Sequence, residues 1–193
     1  MARSFHVGEK TQKWLGAAAI RVIETALANK PVEVFAPSAE EFDPEELAIL
    51  MANGGVFVTL KINHNLRGCI GTILPYEPLF QNVHRMAYSA AFKDPRFLPL
   101  TQAEWPNCNV EISVLSDSSR CEDLNQIEIG RHGLILRYQS HSGVFLPQVP
   151  VEQGWNREQY LDHLCLKAGV VPGTWKKPEC QIDWYEAFVF NVR

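Results

Sequence analysis

The stretch Gly54–Ile73, GGVFVTLKINHNLRGCIGTI, reads as one β-hairpin with a polar face. Val56, Val58, Leu60 and Ile62 alternate with Phe57, Thr59 and Lys61, the period of a strand with two chemically different sides. Asn63-His64-Asn65 suits a reversal, because asparagine tolerates left-handed backbone angles and bonds to its own neighbours. The return strand carries Leu66, Gly68, Ile70 and Thr72 on one side and Arg67, Cys69, Gly71 and Ile73 on the other.

Keeping the aliphatic residues on one face predicts Ile62 opposite Leu66, Leu60 opposite Gly68 and Val58 opposite Ile70. The reverse face then sets Thr59 opposite Cys69 and Lys61 opposite Arg67. Two like charges in such a pair cost up to roughly 1 kcal/mol, which favours an anion between them. Arg67 and Cys69 lie about 7 Å apart on one side of the strand at ~3.3 Å per residue. A thiol beside these cations is expected to be more acidic than usual. Gly68 and Gly71 suggest close approach of a ligand or of another backbone, since glycine weakens a strand and packs nothing of its own.

The 193 residues suffice for one large domain, or one with a smaller lobe. A net charge of −4 argues against a general nucleic-acid binder, as does the absence of a basic run with interleaved aromatics. Five cysteines, an odd number without paired CxxC spacing, are expected to be reduced, and no spacing calls for a metal or a cofactor. The opening MARSFHVGEK has no export-type apolar run, and no long uncharged stretch could cross a bilayer, so a cytoplasmic protein without membrane contact is expected.

Around the hairpin, apolar periodicity predicts helices over about Glu9–Asn29, a short one after Asp43-Pro44, one over about Pro78–Phe92, and one capped by Asn156 and closed by Gly169. Leu74-Pro75-Tyr76 leads from the hairpin to the third of these. Thr101 and Glu104 match a capping box. Val110, Ile112 and Val114 mark a strand, Gln126–Leu146 reads as three strands joined by turns, and Ile182–Val192 reads as a long closing strand. Asp94 and Arg96 could lock the turn Asp94-Pro95-Arg96-Phe97, with Arg96 alternatively facing the anion site. His84 reads as a structural or surface histidine. His132, between Gly130 and Gly133, is the histidine best placed to meet a ligand and carry a proton.

LRGCIGT from Leu66, AFKDPRFLPLT from Ala91, EISVLS from Glu111, HGLIL from His132, LPQV from Leu146 and CLKAG from Cys165 together resemble the AMMECR-domain family over nearly the whole chain. The resemblance implies a single α+β domain over residues 1–193, its antiparallel sheet flanked by helices, with a large lobe, a smaller lobe and a cleft between them. The family motif falls on Arg67, Gly68, Cys69, Ile70 and Gly71, on Asp94, Pro95, Arg96 and Phe97, and on Pro147 and Gln148. It further implies a pathway shared with Memo-type and radical-SAM proteins, but no settled activity.

Three readings follow. In the first, Cys69 is a reacting thiolate, His132 a proton carrier, and Lys61, Arg67, Asp94, Arg96 and Gln148 hold a small anionic ligand. In the second, the same residues form a non-catalytic binding or adaptor module. The third, RNA or nucleotide binding, is opposed by the net charge. Against all three stands the ordinary role of a strand cysteine as a small packed residue.

Overall fold

Asn63 and His64 both take positive φ, 50° and 65°, the backbone that closes a two-residue hairpin with the right-handed twist of its strands. They join β1 (Val56–Ile62) to β2 (Asn65–Thr72) in a computed structural model that describes residues 5–73 and 76–193. Two compact units result: His6–Leu115 with Phe188–Arg193, here the Cys69 unit, and Ser116–Ala187 with Phe5, the His132 unit. The fold class is α+β, with antiparallel sheet and flanking helices.

In the Cys69 unit, helices α1 (Glu9–Leu27) and α2 (Pro44–Met51) precede the hairpin, and α3 (Leu79–Phe92) and β3 (Cys108–Leu115) follow it. Asp43 accepts from the Glu46 amide to cap α2, with Pro44 in the first turn, as the sequence predicted. Of the linker Leu74-Pro75-Tyr76, the first two residues lie outside the described residues. Strand β1 runs antiparallel between β2 and β3. Val58, Leu60, Val110 and Ile112 are fully buried; α3, with Val83 and Ala87, packs on β1 and β2, and α1, with Leu15, Ala19, Val22 and Ile23, packs on α3. Packing is closest at Gly68, where an added Cβ would lie 2.1 Å from the Ala90 carbonyl oxygen of α3. The Gly71 position is filled by the Phe57 ring, which a Cβ there would meet at 2.2 Å. Both glycines therefore serve packing, the first by admitting another backbone.

One detail of register departs from expectation. Leu60↔Gly68, Val58↔Ile70 and Thr59↔Cys69 pair as predicted, but the ladder shifts between Leu60 and Lys61, so that Lys61 faces Leu66 and Ile62 faces Asn65. Arg67 is the extra residue of a β-bulge. The supposed Lys61–Arg67 like-charge pair does not form. A two-residue turn leaves no room for the register the three-residue reading required.

In the His132 unit, β4 (Ser119–Arg120), β5 (His132–Tyr138), β6 (His141–Phe145), α4 (Gln148–Glu152), α5 (Arg157–Lys167) and β7 (Gln181–Asn191) follow in order. The strand order is β4-β7-β5-β6, all antiparallel. Two strands stand where three were expected after Gln126: Leu124–Gln126 is a 3-10 turn, and the chain reverses through Gly130, φ 88°. Asn156 and Gln159 form a reciprocal capping box for α5. Tyr160, buried on α5, donates its hydroxyl to the His132 carbonyl at 3.2 Å and so pins α5 to the start of β5. Strand β7 serves both units: Gln181–Glu186 pairs with β5, whereas the Val192 amide just beyond its end bonds Val110 of β3 at 2.8 Å. Among the described residues no helix is long and apolar enough to cross a membrane.

Candidate functional site

Strand β2 has a neighbour, β1, on one side only, so Cys69 turns its amide and carbonyl away from the ladder. Both are met by the segment after α3. The Cys69 N–H donates to Asp94 Oδ2 at 2.8 Å, and its carbonyl accepts from Arg96 Nη2 at 2.9 Å. Asp94 in turn takes the Arg96 amide (3.1 Å), Nε (2.9 Å) and Nη2 (2.7 Å). The carboxylate is 4 % exposed, while the arginine side chain remains half in solvent. The Arg96 guanidinium, aided by the Cys69 and Arg96 amides, holds the Asp94 carboxyl far below the usual carboxylate range. This clip closes a sheet edge with side chains and fixes the peptide that carries the thiol.

Arg67, displaced by the bulge, reaches the same segment. Its Nε and Nη2 meet Glu104 at 2.8 and 3.1 Å, and Nη2 also donates to the Leu98 carbonyl at 2.9 Å. The Phe97 ring lies within cation–π distance of both guanidiniums, 5.8 Å from Arg67 and 5.6 Å from Arg96. Glu104 also accepts from the Thr101 amide and hydroxyl, completing the predicted capping box. Hydrogen bonds from Arg67 and then Thr101 bring its carboxyl down to about 2.

That depression sets a pH dependence. An unfolded glutamate titrates near 4.3. Glu104 therefore contributes its full stabilisation above that value and loses it as pH falls towards about 2, with Asp94 acting in the same direction. Urea midpoints are expected to decline steadily across this acid window, and Glu104→Gln should flatten the decline. An unchanged slope in Glu104→Gln would show that the pair is not coupled to folding.

On the face opposite the core, Cys69, Thr59 and Glu111 form a row across β2, β1 and β3. The Thr59 hydroxyl donates to Cys69 Sγ at 3.2 Å, and Lys61 Nζ meets Glu111 Oε2 at 3.1 Å. Strand spacing puts Glu111 about 10 Å from Cys69, too far for direct proton transfer. Cys69 is half-buried, whereas Cys108, Cys121, Cys165 and Cys180 are buried and their thiols are pushed up by desolvation.

The structure thus brings Cys69, Asp94 and Arg96 into one cluster, with Arg67 beside it. Lys61 is bound to Glu111, and every one of these cations already holds a carboxylate. His132 and Gln148 belong to the other unit. His132 opens β5 and packs on Trp184, ring centroids 4.6 Å apart, and Gln148 opens α4. His84 is buried in α3 and donates from Nδ1 to its own helix carbonyl, Phe80 O, at 2.6 Å. Sequence reasoning missed Glu104 as the partner of Arg67 and Glu111 as that of Lys61. A strand arginine needs an acceptor, and the capping-box carboxylate in the adjoining motif was the available signal. Among the described residues no group of three or more His, Cys, Asp or Glu could hold a metal ion.

Several proteins are similar to this chain in sequence or in fold. Protein MK0488 of Methanopyrus kandleri is 42% identical over 175 residues, 86% of this chain and 84% of that protein. Protein MJ0810 of Methanocaldococcus jannaschii is 42% identical over 178 residues, covering 88% and 84%. The crystal structure of uncharacterized protein PH0010 from Pyrococcus horikoshii superposes with a TM-score of 0.83 at 34% identity, over 97% of this chain and 94% of that one. The AMMECR1 family model matches residues 17–190, which take in the hairpin, the clip segment and both units. This chain belongs to the AMMECR1 family.

Proposed function

We propose that Cys69 is the reacting group of a thiol-dependent enzyme, a nucleophile whose backbone is held by the Asp94–Arg96 clip and whose sulfur receives the Thr59 hydroxyl. One observation carries the reading: of five cysteines, Cys69 alone is not buried. A nucleophile needs access, a fixed direction and a neighbouring positive charge. Arg96, which binds the Cys69 carbonyl, is the charge best placed to supply the last. Memo-type and radical-SAM proteins are the proposed functional partners, on family membership alone.

A second reading, a non-catalytic adaptor, has its own support: Lys61, Arg67 and Arg96 are each neutralised by a carboxylate, so none of these three is left free to hold a small anion.

Iodoacetamide separates the two. On the enzyme reading Cys69 is carbamidomethylated first, the four buried thiols react only after unfolding, and Cys69→Ser removes the fast phase. Slow, uniform labelling of all five sites sinks it. If Cys69→Ser supports the pathway as well as the native chain while Arg67→Ala does not, the adaptor reading stands.

A further inference from the structure

The His132 unit contains a cavity of ≈ 820 Å³ that the Cys69 chemistry does not use. Its charged lining consists of Asp117, Glu128, Glu186 and Arg131. Arg131 is shared between Glu186 (2.9 Å) and Glu128 (3.0 Å), so two of the three carboxylates face the one guanidinium. The Asp117 side chain forms no hydrogen bond or ion pair among the described residues. Burial, and then Arg131, pushes the His132 imidazole down, leaving it neutral at pH 7. The lining is therefore net negative and repels phosphates and carboxylates.

His132 supplies a directional group. It is 8 % exposed, and its Nδ1 accepts from the Glu128 amide at 3.1 Å, which puts the ring proton on Nε2. No group among the described residues accepts that proton, yet the ring lines the cavity. A donor on a mostly buried ring, open to a roomy cavity and without a partner among the described residues, can meet an acceptor from outside the chain. Trp184 completes the set: its Nε1 donates to Ser119 Oγ at 2.8 Å, which locks the indole, and Phe5 and Tyr185 add apolar surface.

We propose that this cavity binds a small aromatic amine, its ammonium against Asp117 and Glu128, its ring against Trp184, and an oxygen accepting from His132 Nε2. Each part answers an observed group. Negative charge beside an aromatic wall is the usual environment of an organic cation, and the lone imidazole donor selects for an acceptor on the same molecule.

Titration calorimetry with three probes tests this. Tyramine carries ring, ammonium and hydroxyl, phenethylamine lacks the hydroxyl, and 4-hydroxyphenylacetate replaces the ammonium with a carboxylate. Tyramine should bind, phenethylamine about 2- to 10-fold more weakly, and 4-hydroxyphenylacetate at least about tenfold more weakly. Asp117→Asn, at an exposed position whose side chain supports nothing else, should weaken tyramine about 2- to 5-fold, and added salt should do the same. The proposal is overturned if tyramine shows no binding up to about 10 mM, if the carboxylate probe binds as well as the amine, or if Asp117→Asn changes nothing.

Discussion

Gly68→Ala is expected to destabilise the protein by roughly 3–5 kcal/mol, a large part of the margin by which a domain of this size is folded. The added Cβ would sit 2.1 Å from the Ala90 carbonyl oxygen, a backbone atom in the last turn of α3. No rotamer change can relieve such a contact. Either β2 or α3 must move by about 1 Å, which would part the fully buried layer formed by Val58, Leu60, Val83 and Ala87. Because the clash is with the carbonyl and not the side chain, Ala90→Gly in the same chain should give no rescue. Urea titration reads the effect directly, and a loss below about 1 kcal/mol would show that the approach of helix to strand is looser than described.

Asp94→Ala should rank next, at about 2–3 kcal/mol. Four N–H groups converge on this buried carboxylate, and alanine would leave the Cys69 amide unpaired at a sheet edge. The half-exposed Arg96 can return to water, which keeps the cost below that of breaking a fully buried ion pair. Asp94→Asn retains one acceptor for the Cys69 amide and should lose less, about 1–2 kcal/mol, while also losing its share of the acid sensitivity. Amide hydrogen exchange at Cys69 supplies the specific readout. It should accelerate in Asp94→Ala beyond what the global loss of stability explains, and an unchanged rate would mean that the clip is not what closes the edge.

The same two positions show what could be read without coordinates. The hairpin, its turn and the pairing of Thr59 with Cys69 follow from alternation and from two residues able to take positive φ, all of them local properties. Placement of Arg67 does not, because a bulge costs one residue and depends on turn length, which alternation leaves free by one position. The link between LRGC and KDPRF was visible as a shared resemblance but not as a contact. It rests on edge-strand hydrogen bonds between residues about 25 positions apart, and side-chain acceptors for a backbone edge leave no periodic trace. The boundary between units was equally hidden, since the larger one is assembled from both ends of the chain. Glu104 was legible as a cap and illegible as a counter-ion, for a carboxylate can fill both roles and only one is a matter of spacing.

Strand β7 bears on how the molecule is made. During synthesis from the amino terminus, Gln181–Asn191 leaves the ribosome after every segment it pairs with, and until it does β5 and β3 each lack a flank. Both unpaired flanks therefore await the same later segment, and nascent chains stalled before residue 181 should be the form most dependent on chaperones.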